Sequence, residues 1–158
     1  MSLDLGPALR AAIIAQTYPP LQPVATQVVE ELSEWNGEPS VFTRRPVPAD
    51  AADPMILINA PAAIGDEDGL TSSRPVPIID LAIYGRKAEP GSPEDQTRAV
   101  ERAAFALREL FHRQKFSVQP AGYSVTEIVA AGPFPAPVDD EVTVGRIVTL
   151  TIRLRRNL

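Results

Sequence analysis

A chain of 158 residues with one histidine, no cysteine and a formal charge of -5 can enclose one hydrophobic core, but it has no means to build a disulfide framework, a thiolate metal site or a histidine cluster. Its 44% hydrophobic and 22% charged content is that of a folded globular protein rather than a disordered one. Residues 1–85 carry 4 basic against 11 acidic side chains and residues 86–158 carry 11 against 9, a balance that argues against a dedicated DNA-binding face, which would need clustered Lys and Arg.

The start, Met1-Ser2-Leu3-Asp4, has no basic leader, and no apolar run approaches the ~20 residues of a membrane-spanning helix, so a soluble, unexported protein is expected. A first helix is predicted over about residues 3–15, with Leu5, Leu9, Ala12 and Ile13 on one stripe. Pro19-Pro20 separates it from a second, over about 24–35, in which Val24, Val28, Leu32 and Trp35 share a face and Asn36-Gly37 supplies the stop. Strands are predicted over 41–45 and 55–59. Residues 60–75, rich in Gly, Pro and acidic side chains, read as a long loop, as do residues 132–141.

A strand over 78–84 precedes the clearest element, a helix over 92–113. Ser92 is its expected cap, with Pro93, Glu94 and Asp95 in the first turn. Val100, Ala103, Ala104, Leu107, Leu110 and Phe111 recur at helical spacing, and Glu94 with Arg98 and Glu109 with Arg113 are pairs four apart. Strands over 123–130 and 142–155 follow. In the last, Val142, Val144, Val148, Leu150, Ile152 and Leu154 fall on one face and Thr143, Thr149, Thr151, Arg153 and Arg155 on the other. Fourteen extended residues span about 46 Å, much longer than a usual strand, and Gly145 is the expected position of a bulge.

These elements predict one α+β domain over 1–158. It has a mixed, largely antiparallel sheet of about five strands, helices packed on it, long loops and a long C-terminal strand. The 92–113 helix should cross one sheet face, its stripe meeting Ile79, Leu81 and Ile83.

Chemistry-bearing groups are sparse. His112 is expected on the charged side of its helix, near a C-terminus that favours positive charge, with no nucleophile elbow beside it. Asp66-Glu67-Asp68 supplies carboxylates for a divalent cation but matches no EF-hand spacing, and it reads as a solvated loop tip, like Asp139-Asp140-Glu141. Gly65 and Gly69 lack the Lys-Ser or Lys-Thr of a phosphate loop, and no G-x-G-x-x-G occurs. Arg44-Arg45 and Arg153, Arg155 and Arg156 read either as edge-strand charges that discourage stray pairing or as protein or phosphate contacts. No catalytic, cofactor or metal residue is assigned, and the chain is expected not to be an enzyme.

The segments Ala8-Leu9-Arg10-Ala11-Ala12-Ile13, Pro54-Met55-Ile56-Leu57-Ile58 and Ile79-Asp80-Leu81-Ala82-Ile83-Tyr84-Gly85-Arg86, then the helix over 99–111 and the closing strand over 146–154, come in an order that resembles the tail terminator (tail completion) proteins of long-tailed bacteriophages. The resemblance implies a homohexameric ring in the virion, made in the host cytoplasm, that docks on the last ring of tail-tube protein and stops its growth. It further implies a surface for a head-side neck or stopper protein and a lumen through which DNA passes without specific binding. A head-completion or stopper protein is the nearest alternative, though such proteins tend toward small β-barrels with little helix. A small ligand-binding α+β domain and a hydrolase using Asp66, Glu67, Asp68 or His112 come next.

Overall fold

The computed structural model describes residues 5–17, 34–43, 47–48, 54–66, 74–86, 96–138 and 143–157. In chain order they form helix α1 (Gly6–Thr17), strands β1 (Glu34–Trp35), β2 (Glu38–Pro39), β3 (Val41–Phe42), β4 (Met55–Ile58), β5 (Ala63–Asp66) and β6 (Pro75–Arg86), helix α2 (Thr97–Phe111), and strands β7 (Tyr123–Pro135) and β8 (Thr143–Arg156). The α+β expectation holds. Among the described residues the mixed sheet has six strands, against the expected about five, in the order β3-β4-β6-β8-β7 with β5 also on β6. Only β3 and β4 run parallel.

Alternation along the strands builds two unlike faces. Ile79, Leu81 and Ile83 of β6, with Val148, Leu150, Ile152 and Leu154 of β8, are buried in one cluster with Leu5, Leu9 and Ile13 of α1 and Val100, Ala103, Ala104, Leu107 and Phe111 of α2. This is the alternation and the helix stripe read from the sequence, except that Leu110 stays partly exposed. Val142 and the expected cap and first turn, residues 92–95, lie outside the described residues.

The described part of α2 begins with Gln96 at its N-cap position, which makes no side-chain cap bond. Gln96 clasps the end of β6 instead: its N–H donates to Arg86 O at 3.0 Å and its Oε1 accepts from Arg86 N–H at 2.7 Å. At the other end the helix stops short of the predicted Arg113, which adopts φ 59, so the expected Glu109–Arg113 pair is replaced by Glu109 with Arg108 at 3.0 Å.

Other expectations are corrected. Asn36 and Gly37, at φ 52 and 79, form the two-residue turn of a hairpin between β1 and β2 rather than a helix stop, and Trp35 is in a strand. Consecutive positive φ values suit the right-handed twist of a tight hairpin, and Asn-Gly adopts them most readily. The remainder of the predicted second helix lies outside the described residues. Within residues 60–75, β5 pairs with the start of β6, and residues 132–135 continue β7. Gly145 is in regular register opposite Tyr84, and the register shifts fall in β7, at Val125/Glu127 and Ala131/Phe134.

The extent of the β6–β8 ladder has a backbone cause. Ile78 O and Asp80 O accept from Ala62 N–H and Asn59 N–H, so the even residues of β6 turn their backbone groups toward β4 and β5. The odd residues therefore face β8, and Pro75 and Pro77 have no N–H to offer it. Pairing with β8 ends at Ile78↔Thr151, and beyond that point β8 continues with β7 alone among the described strands.

Candidate assembly surfaces

His112 does not lie on a solvated face. It is half-buried at the C-cap of α2, and its Nδ1 accepts the Ala130 N–H at 3.2 Å, while Arg113 N–H donates to Ile128 O at 2.8 Å. Ile128 and Ala130 turn these groups outward from β7, the last strand of the sheet. The chain leaving α2 therefore plugs the middle of an edge that would otherwise invite another strand. Pro133 and Pro135 withdraw two further donors near its end. The opposite edge receives a similar contact: Arg10 Nε of α1 donates to Val41 O of β3 at 3.0 Å, and its guanidinium also pairs with Glu38.

Across the face opposite the helices, register aligns one apolar row. Phe42 lies beside Leu57, Leu57 beside Ala82, Ala82 beside Ile147 and Ile147 beside Phe134, one side chain from each of β3, β4, β6, β8 and β7. Leu57 and Ala82 are buried, Phe42 and Ile147 partly so, and Phe134 is 50% exposed. Met55 and Tyr84 extend the row, Tyr84 lying against Gly145. Asp80 and Thr149 share a hydrogen bond of 2.7 Å in the next register, and Ile78, Thr151 and Val129 follow. No described helix covers this face, in contrast to the other.

The remaining predicted groups are scattered. Asp66 ends β5, while Glu67, Asp68, Gly69, Asp139, Asp140, Glu141, Arg44 and Arg45 lie outside the described residues. Among the described residues no three His, Asp or Glu side chains are grouped to hold a metal ion. Arg153, Arg155 and Arg156 lie on the stretch of β8 beyond Thr151 that pairs with β7 alone among the described strands, so the edge-strand reading fits them, and Arg153 Nε bonds Glu127 Oε2 at 3.1 Å. Both the edge plug and the apolar row escaped sequence reading because each depends on pairing distant in sequence. The alternation of β8 was the one local signal of a second face.

No protein-family model and no curated protein matches the sequence. Among solved structures, a chain from the virion of a native gene transfer agent particle matches with a TM-score of 0.61 and 15% identity, over 98% of each chain. Likeness at that identity establishes a shared fold from end to end.

Proposed function

We propose that this chain is a structural protein of a phage-like virion, a tail terminator whose ring closes the end of the tail tube, stops its elongation and presents the tail-side surface of the neck. The observation that carries the reading is the end-to-end fold likeness to a chain of a gene transfer agent virion, with no unmatched domain on either side. The order of segments in the sequence supports the terminator within that class. So do the two helices packed on the sheet among the described residues, where a small β-barrel would favour a stopper protein.

The surfaces suit assembly. An apolar row whose Phe134 end is half exposed, on a sheet face that no described helix covers, suits a contact surface for another protein. A plugged β7 edge directs contacts away from uncontrolled strand pairing. In this reading the partners are further copies of the chain, the tube protein and a head-side neck protein, with DNA passing through the lumen without specific contact. Imaging purified protein mixed with tail tubes of its own particle tests the reading. Six-fold density at one tube end supports it, whereas binding along the wall, to the portal or neck alone, or not at all rejects it.

A further inference from the structure

Two departures from regular backbone meet where α2 gives way to the β7 edge. In the first, His112 has φ -61 and ψ 116, Arg113 has φ 59, and Gln114 N–H donates to Phe111 O at 3.0 Å, which makes residues 111–114 a type II turn. The third position of such a turn favours glycine, because a Cβ resists positive φ, yet here it holds an arginine. In the second, β7 passes from Val125 opposite Leu154 to Glu127 opposite Arg153, so Thr126 is an extra residue, and its Oγ1 donates to Arg153 O at 3.2 Å. The two meet in one groove of about 410 Å³, lined by Arg113, Lys115, Thr126, Glu127, Ile128 and Arg153.

Three cations face one carboxylate in that lining, and Arg153 Nε already holds Glu127 Oε2 at 3.1 Å. Arg113 and Lys115 are exposed and make no ion pair among the described residues. The next residue, Phe116, is 79% exposed, with the Lys115 ammonium 5.1 Å from its ring centre. The segment is held in shape from both ends: Arg113 N–H donates to Ile128 O at 2.8 Å, and Ser117 N–H and Oγ donate to Gln114 O at 3.0 and 2.7 Å.

We infer that this groove is a docking site for a carboxylate-bearing segment of another protein. Arginine meets a carboxylate through paired N–H donors, and an exposed aromatic beside such cations is the composition of a protein interface. Backbone held in a sparsely populated conformation is found where the side chain it aims is used, which accounts for arginine at a glycine position. A DNA duplex fits less well. Its phosphates need cations along a track, whereas the groove is short, contains Glu127 and belongs to a chain of charge -5. The inference goes beyond the terminator reading and does not depend on it.

Fluorescence anisotropy of the full-length protein with labelled octaglutamate, octaglutamine and a short DNA duplex, at low and high salt, tests it. Wild type should bind octaglutamate more tightly than the other two, and less tightly as salt screens the charges. Arg113→Gly and Lys115→Gln should each weaken octaglutamate binding by about threefold to fivefold. Arg98→Gln, which removes an exposed cation from the other end of α2, should leave it unchanged. Arg113→Gly should melt at or above Arg113→Ala, since glycine accepts the positive φ, so its loss of binding is not a loss of fold. Absence of octaglutamate binding, full affinity in both groove variants, or an equal loss in Arg98→Gln overturns the inference. Tighter binding of the duplex overturns it in favour of a phosphate site.

Discussion

The two faces of the sheet come from the same alternating strands and end in different states. One is sealed: α1 and α2 lie on it, and Leu81, Ile83, Val148 and Leu150 have no solvent exposure. The other keeps an apolar row that runs unbroken from Phe42 to Phe134 and ends half exposed. Burial on the sealed face supplies folding energy, since each large aliphatic side chain contributes about 1.5–3 kcal/mol. In the row Phe42, Ile147 and Phe134 stay partly wet, unlike the buried Leu57 and Ala82, and contribute less until something covers them. The contrast teaches that a face can be specified by the fold without being needed for it, and substitutions should separate the two uses.

The largest effect is expected on the sealed face. Leu107→Ala removes a fully buried side chain between α2 and the sheet and should lower stability by roughly 2–5 kcal/mol in chemical denaturation through lost burial and a cavity. A loss below about 1 kcal/mol would show that the core lies elsewhere. Gly145→Ala probes how closely the open face is built: its Cβ would come within 2.8 Å of Ala136 Cβ and 2.9 Å of Tyr84 Cε1. Overpacking of about 1–3 kcal/mol should follow, and a neutral outcome would mean that the Tyr84 ring moves without resistance.

Smaller effects are expected where surfaces rather than the core are touched. His112→Ala leaves the Ala130 N–H without its acceptor and should lower stability by about 0.5–1.5 kcal/mol. It also uncovers part of the β7 edge, so light scattering on slow heating should begin earlier than in wild type. Phe134→Ser should change stability by no more than about 0.5 kcal/mol, as for other surface positions, yet reduce the occupancy of tube ends. Equal capping by this variant would show that the row is not a contact surface.

How much of this was legible in the sequence follows from where each signal resides. The α2 stripe and the alternation of β8 are local patterns, and both appear in the burial of the folded chain. Trp35 misled because it falls at helical spacing from Val24, Val28 and Leu32, and because Asn-Gly signals a helix stop and a hairpin turn equally well. β5 was missed because Ala63-Ile64-Gly65-Asp66 is short and without alternation, and because its partner begins Pro75-Val76-Pro77, residues that argue against a strand. The prolines are tolerated there because the N–H groups they lack would point toward β8, where pairing has already ended. The extension of β7 was hidden by Gly132-Pro133, which reads as a break and lies at a register shift in the strand.

The candidate surfaces were less legible than the fold. Phe42, Leu57, Ala82, Ile147 and Phe134 are spread along most of the chain, and only the registers of four strand pairs put them in line. His112 likewise gains its role from Ala130, 18 residues away. The arginines of β8 were visible, but that they lie on a locally unpaired edge depends on where β6 stops pairing with β8.

The central claim, that this chain ends tail-tube growth, is tested most directly by adding it to polymerising tube protein and measuring tube lengths. Growth should stop at amounts of protein comparable to the number of tube ends, far below the number of tube subunits, leaving short tubes capped at one end. Unchanged tube lengths, or inhibition that appears only when the protein matches tube subunits in number, would contradict it.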